Sequence, residues 1–140
     1  LEPFVRTYRS PRPPLGSGVA AAGAGARAMM DLSDGPAADA TRMAAASGVV
    51  IDYDRPSIEE EAWKLQGPAL ICRADPVWWV LQGGEEHGML AAFPPDAQLP
   101  QGFRPIGRAR ECAAGETPCA MFDGEVLRGA WDHFSSDSVD

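Results

Sequence analysis

A layered α+β domain is the fold class this sequence predicts, and three observations carry that prediction. The chain has 140 residues and is 45% hydrophobic, enough for one ordinary domain with its own core. Short β-branched or apolar runs, such as Val49–Tyr53 and Met89–Phe93, interleave with alanine-rich stretches at helical spacing. The two kinds of segment do not alternate strictly and no internal repeat occurs, so a doubly wound parallel sheet is not indicated.

In chain order, residues 1–16 carry Arg6, Arg9 and Arg12 among Pro3, Pro11, Pro13 and Pro14, and read as a stiff, extended linker. Residues 17–26 are Ala/Gly-rich and suit a short helix weakened by Gly23 and Gly25. Residues 27–32 read as a buried strand. A helix follows from Pro36 to about Ser47, with Gly48 placed as a left-handed stop. Ala37, Ala40, Met43, Ala44 and Ser47 fall on its narrow inner face, while Asp39 reads as a solvated charge favoured by the helix dipole, the alternative being a group that supports the Asp31–Asp34 turn from behind.

Val49–Tyr53 reads as a strand, and Ser57-Ile58-Glu59-Glu60 matches a capping box for a helix over 58–66, ended by Gly67-Pro68. The acids Glu59, Glu60 and Glu61 make a solvated face. Asp75-Pro76 opens a short buried helix that includes Trp78 and Trp79 and stops at Gly83-Gly84. Met89–Phe93 reads as a central strand and Phe103–Ala109 as another, in which Gly107 permits close backbone approach. Cys119–Phe122 and Glu125–Leu127, joined by Asp123-Gly124, form a hairpin. Residues 135–140 read as a frayed polar tail.

Charge and composition exclude several function classes. Twelve Lys and Arg against twenty Asp and Glu give a formal charge of −8. That opposes general nucleic-acid binding, which rests on cationic contacts to phosphate. An anionic substrate would need a metal ion to offset the repulsion. No stretch approaches the ~18 apolar residues of a membrane span. The start, Leu1-Glu2-Pro3, has no initiator methionine and no signal-peptide layout, so the chain reads as cut from a longer protein. Cys72, Cys112 and Cys119 are odd in number and not at metal-ligand spacing from His87 or His133. Free thiols in a reducing cytoplasm follow, without structural zinc.

The densest chemistry lies in Met29-Met30-Asp31-Leu32-Ser33-Asp34-Gly35-Pro36. An apolar strand ends in two carboxylates around a hydroxyl. Gly35 then turns the chain and Pro36 fits a first helical position. Two hard oxygen ligands beside a helix start suit magnesium carrying phosphate. The same residues equally suit a plain helix cap by Asp34 or Ser33. Gly83-Gly84-Glu85-Glu86 places a carboxylate at a loosened junction between a helix and a strand, facing either a pocket or solvent. Trp131-Asp132-His133-Phe134 gathers aromatic rings near the C-terminus, which suit either stacking on a flat cationic ring or anchoring of the tail.

Taken in order, Asp-Leu-Ser-Asp-Gly before an Ala-rich helix, Gly-Gly-Glu before a strand, Ile-Gly, Asp-Gly and an aromatic followed by Asp-His-Phe resemble the C-terminal half of the thiamine-monophosphate kinase family. That family lies within the superfamily of aminoimidazole ribonucleotide synthetase, and the resemblance covers about residues 8–134. It implies a layered α/β/α domain with a mixed sheet over residues 17–134. It also implies transfer of the terminal phosphoryl group of ATP to thiamine phosphate. Carried onto this chain, the resemblance makes Asp31 and Asp34 magnesium ligands, Ser33 an ATP contact, Glu85 a contact to thiamine and Trp131 its stacking platform. No acid or base catalyst is implied.

The family's N-terminal half, which supplies further metal ligands, much of the ATP site and a homodimer interface, is absent from the 140 residues. Alone they are expected to be inactive. Three departures stand out: Pro36 where the family has Leu, Glu86-His87-Gly88 where it has Asp-Tyr-Glu, and Ala130 where it commonly has Gly before the aromatic. These keep two other readings open: a non-catalytic module of the same fold, and another ATP-dependent enzyme of the superfamily.

Overall fold

The computed structural model describes residues 1–128. The readings of Trp131-Asp132-His133-Phe134 and of the tail 135–140 lie outside the described residues.

Helix α3 (Pro36–Ser47) organises the fold. It lies against strands β1 (Ala28–Leu32), β2 (Val49–Tyr53) and β5 (Cys119–Phe122) and against helix α6 (Pro76–Gln82). It is buried on all sides over Pro36–Ala40 and on one face at Met43 and Ala44, and its small alanine side chains let its backbone come close to the sheet. Ser47, assigned to that face from spacing, is exposed, because the helix outruns the sheet there. Gly48 ends the helix in the left-handed region, φ 68 and ψ 33.

Two sheets are formed. β2 sits between β4 (Gly107–Glu111), which it pairs antiparallel, and β5, which it pairs parallel; β6 (Glu125–Val126) continues from β5. This is the mixed sheet expected. The Asp123-Gly124 hairpin turn places both residues at positive φ, 54 and 77, as a two-residue hairpin of this twist requires. β1 pairs antiparallel with β3 (Gly88–Ala92). β3 was expected to be central, yet among the described residues it pairs with β1 alone.

Tyr53, Ile58, Leu81, Leu90, Phe122 and Leu127 complete the core with the α3 face. The buried Tyr53 hydroxyl donates to the Pro36 carbonyl at 2.8 Å, tying the end of β2 to the start of α3. Pro36 is itself buried at the first helical position, so this departure from the family pattern is absorbed without disturbing the helix.

Four local expectations are corrected. Residues Glu2–Arg9 form helix α1 rather than an extended linker. Pro3 sits in its first turn, where a missing N–H is harmless, with Glu2 at its N-terminus and Arg6 and Arg9 near its C-terminus matching the dipole. The next helix, α2, spans Ser17–Gly23 as read. Helix α4 spans Arg55–Trp63 and is capped by Asp54, not Ser57; the Asp54 carboxylate accepts both the Ser57 N–H and its hydroxyl. A further helix, α5 (Gln66–Cys72), follows where Gly67-Pro68 reads as a stop. Pro68 lies in the first turn of α5, so it begins a helix as readily as it ends one.

The fourth concerns β4, which starts at Gly107 and runs to Glu111. Pro105 cannot donate to a ladder, and Phe103 packs edge-on against Phe93 at 5.6 Å instead. Nor is the Trp78–Trp79 pair simply core: Trp78 is 44% exposed, and Leu81 is the fully buried residue of α6.

Gly107 is opposite Tyr53, and a Cβ there would lie 2.3 Å from the Asp52 carbonyl oxygen. Gly107→Ala is therefore expected to cost about 1–3 kcal/mol, seen as a lower urea midpoint at unchanged slope.

Glu116, in the β4–β5 loop, takes a two-pronged bond from Arg110 at 2.7 Å per prong and accepts the Ala113 N–H. Arg110, then that N–H, hold its carboxyl down at about 2. A depressed carboxyl stabilises the fold above its ordinary value of 4.5, and the contribution disappears as pH falls towards 2. The difference in melting temperature between wild type and Glu116→Gln is expected to be present at neutral pH and to close over that window.

Candidate functional site

The chain turns sharply between β1 and α3, and what it turns against is the loop between α6 and β3. The two loops meet backbone to backbone. Glu85 N–H donates to the Ser33 carbonyl at 2.9 Å, and His87 N–H to the Leu32 carbonyl at 3.1 Å. A Cβ on Gly84 would lie 2.4 Å from the Ser33 carbonyl oxygen, and one on Gly35 2.6 Å from the Gly83 carbonyl oxygen. Gly35 also has φ 95, which side chains rarely adopt. Gly35 and Gly84, one from each motif, are thus required by one contact between the loops. Glu85 and His87 themselves sit at φ 71 and 50, a conformation of about 1–2 kcal/mol cost per residue.

This junction gathers four of the residues singled out from sequence. Asp31, Ser33 and Asp34 lie on one strand end and turn, and Glu85 on the loop bonded to it; Trp131 lies outside the described residues. Asp31 points to the exposed side of β1, with its Oδ2 3.5 Å from Nδ1 of His87. Ser33 and Asp34 are half-buried.

Neither Ser33 nor Asp34 caps α3. Its N-cap is Gly35, without a side-chain bond. The acid that serves this turn is Asp39, in the supporting position that was the less favoured of its two readings. Asp39 is 0% exposed. Its side chain reaches back toward the helix start, the direction every helical Cβ leans. Its Oδ2 accepts the Ser33 and Asp34 N–H groups at 2.9 and 3.0 Å, and its Oδ1 accepts Arg42 Nη1 at 2.6 Å. Three charge-assisted bonds offset the desolvation of the carboxylate.

Arg42 bridges onward, with Nη2 2.5 Å from Asp34 Oδ2. Asp34 first, and then Asp39, push its guanidinium acidity still further from neutral. Asp39 also adds to burial in raising the Tyr53 hydroxyl above its ordinary range. The signal for Asp39 was present in the sequence: a lone acid inside Pro-Ala-Ala-Asp-Ala, three residues before an arginine.

Glu85 opens on a hollow of about 1100 Å³ between α1 and the α5–α6 region, walled by Phe4, Tyr8, Pro68 and Trp79, with Glu86 at its rim. Burial, then the charge of Glu61, raise the Glu86 carboxyl. An apolar, aromatic wall with carboxylates at one edge suits a flat cationic ring. Among the described residues no group of three or more His, Cys, Asp or Glu is placed to hold a metal, and no helix is long and apolar enough to cross a membrane.

Gly84→Ala is expected to push the two loops apart and cost about 1–3 kcal/mol in thermal unfolding. Gly16→Ala, where a Cβ meets nothing within 4 Å, is expected to be near neutral.

No family model matches the chain. It is 40% identical over 131 residues to the thiamine-monophosphate kinase of Mycobacterium tuberculosis (strain CDC 1551 / Oshkosh), covering 92% of this chain and 38% of that protein. To the thiamine-monophosphate kinase of Corynebacterium glutamicum it is 42% identical over 108 residues, covering 77% of this chain and 32% of that one. A similar solved structure is AaThiL complexed with AMPPCP and TMP, with a TM-score of 0.53, 28% identity, and cover of 78% of this chain and 34% of that chain. The chain thus spans well under half the length of the curated relatives it matches. Over nine-tenths of its own length, this chain is a homologue of part of thiamine-monophosphate kinase.

Proposed function

We propose that residues 17–134 are the C-terminal domain of a cytoplasmic kinase that moves the terminal phosphoryl group of ATP onto thiamine phosphate, giving thiamine diphosphate. One observation carries the reading most: the Asp-Leu-Ser-Asp-Gly turn and the Gly-Gly-Glu loop, about fifty residues apart in sequence, are joined by two backbone hydrogen bonds. In this reading Ser33 contacts ATP, Glu85 meets the thiazolium across the hollow and Trp131 stacks on it. A homologue of similar fold, AaThiL, was solved complexed with AMPPCP and TMP, which supports both ligands.

Asp31 and Asp34 are the proposed magnesium ligands. Their chemistry fits: magnesium takes one or two carboxylates and completes its shell with water and substrate phosphate. Bound there, it would neutralise charge on the transferring group. The work of this chain's own residues is positional. The glycine-packed loops hold the two carboxylates and Glu85 in one frame, and Asp39 fixes the turn between them. The parent's N-terminal half completes the site and the homodimer, so these residues alone are inactive. Trp63, Leu70 and Ile71, exposed on α4 and α5, support a missing cover.

A second reading, a non-catalytic module of this fold, is favoured by one feature. His87, absent from the family pattern, stands beside Asp31.

Calorimetric titration of thiamine phosphate, with magnesium and a non-hydrolysable ATP analogue, separates the two. Binding is expected by a version extended at its N-terminus and not by residues 1–140. It should weaken at least about tenfold in Asp34→Ala and in Trp131→Ala, the scale of one lost charged or stacking contact. No binding by either protein establishes the non-catalytic module instead.

A further inference from the structure

The buried carboxylate of Asp39 is given no role by the proposed ligand contacts, yet it touches the turn that carries them. Its two oxygens do different things. Oδ2 takes both turn amides, of Ser33 and Asp34. Oδ1 takes Arg42, whose other nitrogen grips Asp34. The backbone of the turn and the side chain of its second acid are therefore both set by one residue of α3.

We propose that Asp39 is a positioning residue that holds the Asp31–Asp34 turn directly and, through Arg42, keeps the Asp34 carboxylate engaged until a divalent cation takes Arg42's place. Asp39 touches no ligand itself. The second half of this inference rests on the metal reading of Asp31 and Asp34; the first half does not.

The geometry separates the two roles by variant. Asp39→Asn keeps one oxygen for the turn amides but turns an NH2 group toward a guanidinium, donor against donor, so it frees Arg42 from Asp39 while the Nη2–Asp34 pair remains. Arg42→Met removes the guanidinium and leaves Oδ2 on the amides. Asp39→Ala removes both functions. Arg42 is 50% exposed on its side chain, so its grip on Asp34 is one that water and a cation can contest.

The test uses the N-terminally extended chain and Mn2+ alone as probe, with amide hydrogen exchange at Ser33 and Asp34 as a readout independent of activity. Arg42→Met is expected to bind Mn2+ about three- to fivefold more tightly than wild type, the scale of a partly exposed ion pair. Arg42→Met and Asp39→Asn should both keep wild-type amide protection. Asp39→Ala is expected to exchange those two amides at least about tenfold faster, the scale of a lost bond to a charged acceptor.

Equal Mn2+ affinity in wild type and Arg42→Met overturns the competition between Arg42 and the cation. Unchanged exchange in Asp39→Ala overturns the hold on the turn. Should Asp39→Ala fail to fold, faster exchange at Ser33 and Asp34 in Asp39→Asn overturns the division of labour between the two oxygens. No Mn2+ binding by any form overturns the metal reading and the Arg42 competition with it, while the amides still decide the role of Asp39 on the turn.

Discussion

The candidate site depends on two loops whose backbones touch. Bringing the Ser33 carbonyl and the Gly84 α-carbon together leaves no room for a side chain on Gly84, and the same contact forbids one on Gly35. With a Cβ on either, the loops separate and their two inter-loop hydrogen bonds are lost. The rest of the site follows from this. Glu85 and His87 take left-handed backbone conformations because the chain must leave the contact and turn into β3 at once. Strain at a junction persists only where surrounding structure over-determines it, and here a ladder on one side and a helix on the other do so.

Charge is organised around the same contact. The chain is acidic overall, but the Asp31–Asp34 turn is flanked by groups that moderate its charge: Arg42 on Asp34 and the N-terminus of α3 behind it. Asp39 adds one more negative charge, yet it is turned inward and its oxygens are consumed by amides and a guanidinium. Burying that acid is costly unless every lone pair has a donor, and the three bonds it accepts are charge-assisted. An arrangement with an exposed acid at this position would leave the Ser33 and Asp34 amides to water and the turn without a fixed shape.

Much of this was legible beforehand, for definite physical reasons. Gly48, Gly107 and Asp123-Gly124 were read correctly because their conformational demands are local and few residues meet them. The turn at Asp31–Gly35 was legible for the same reason, since proline and glycine leave few alternatives. What failed was whatever depended on partners distant in sequence. Asp39 looked solvated because position in the first helical turn predicts only a dipole interaction; its burial comes from the loop that folds back over it. Residues 1–16 have a proline-rich composition that suggests an extended chain, but Pro3 lies in the first turn of a helix, where proline is tolerated. Ser57 matches a capping box within its own four residues, whereas the cap is Asp54, three residues earlier, which accepts Ser57's own N–H. Trp131 was legible only by resemblance and lies outside the described residues.

The departures from the family pattern then divide into two kinds. Pro36 changes nothing that matters, because its ring sits where no N–H is needed and its carbonyl still receives Tyr53. The change at Glu86-His87-Gly88 is different in kind. Gly88 opens β3 opposite Leu32 and is tolerated by the ladder. His87 brings a titratable ring to the exposed side of Asp31, and Glu86 adds a second carboxylate to the rim of the hollow that Glu85 faces. The first changes the surroundings of the proposed metal ligand Asp31, and the second the charge at the edge of the hollow. Neither side chain takes part in the contacts that shape the turn: the close packing of Gly35 and Gly84 and the bonds from the Ser33 and Asp34 amides to Asp39.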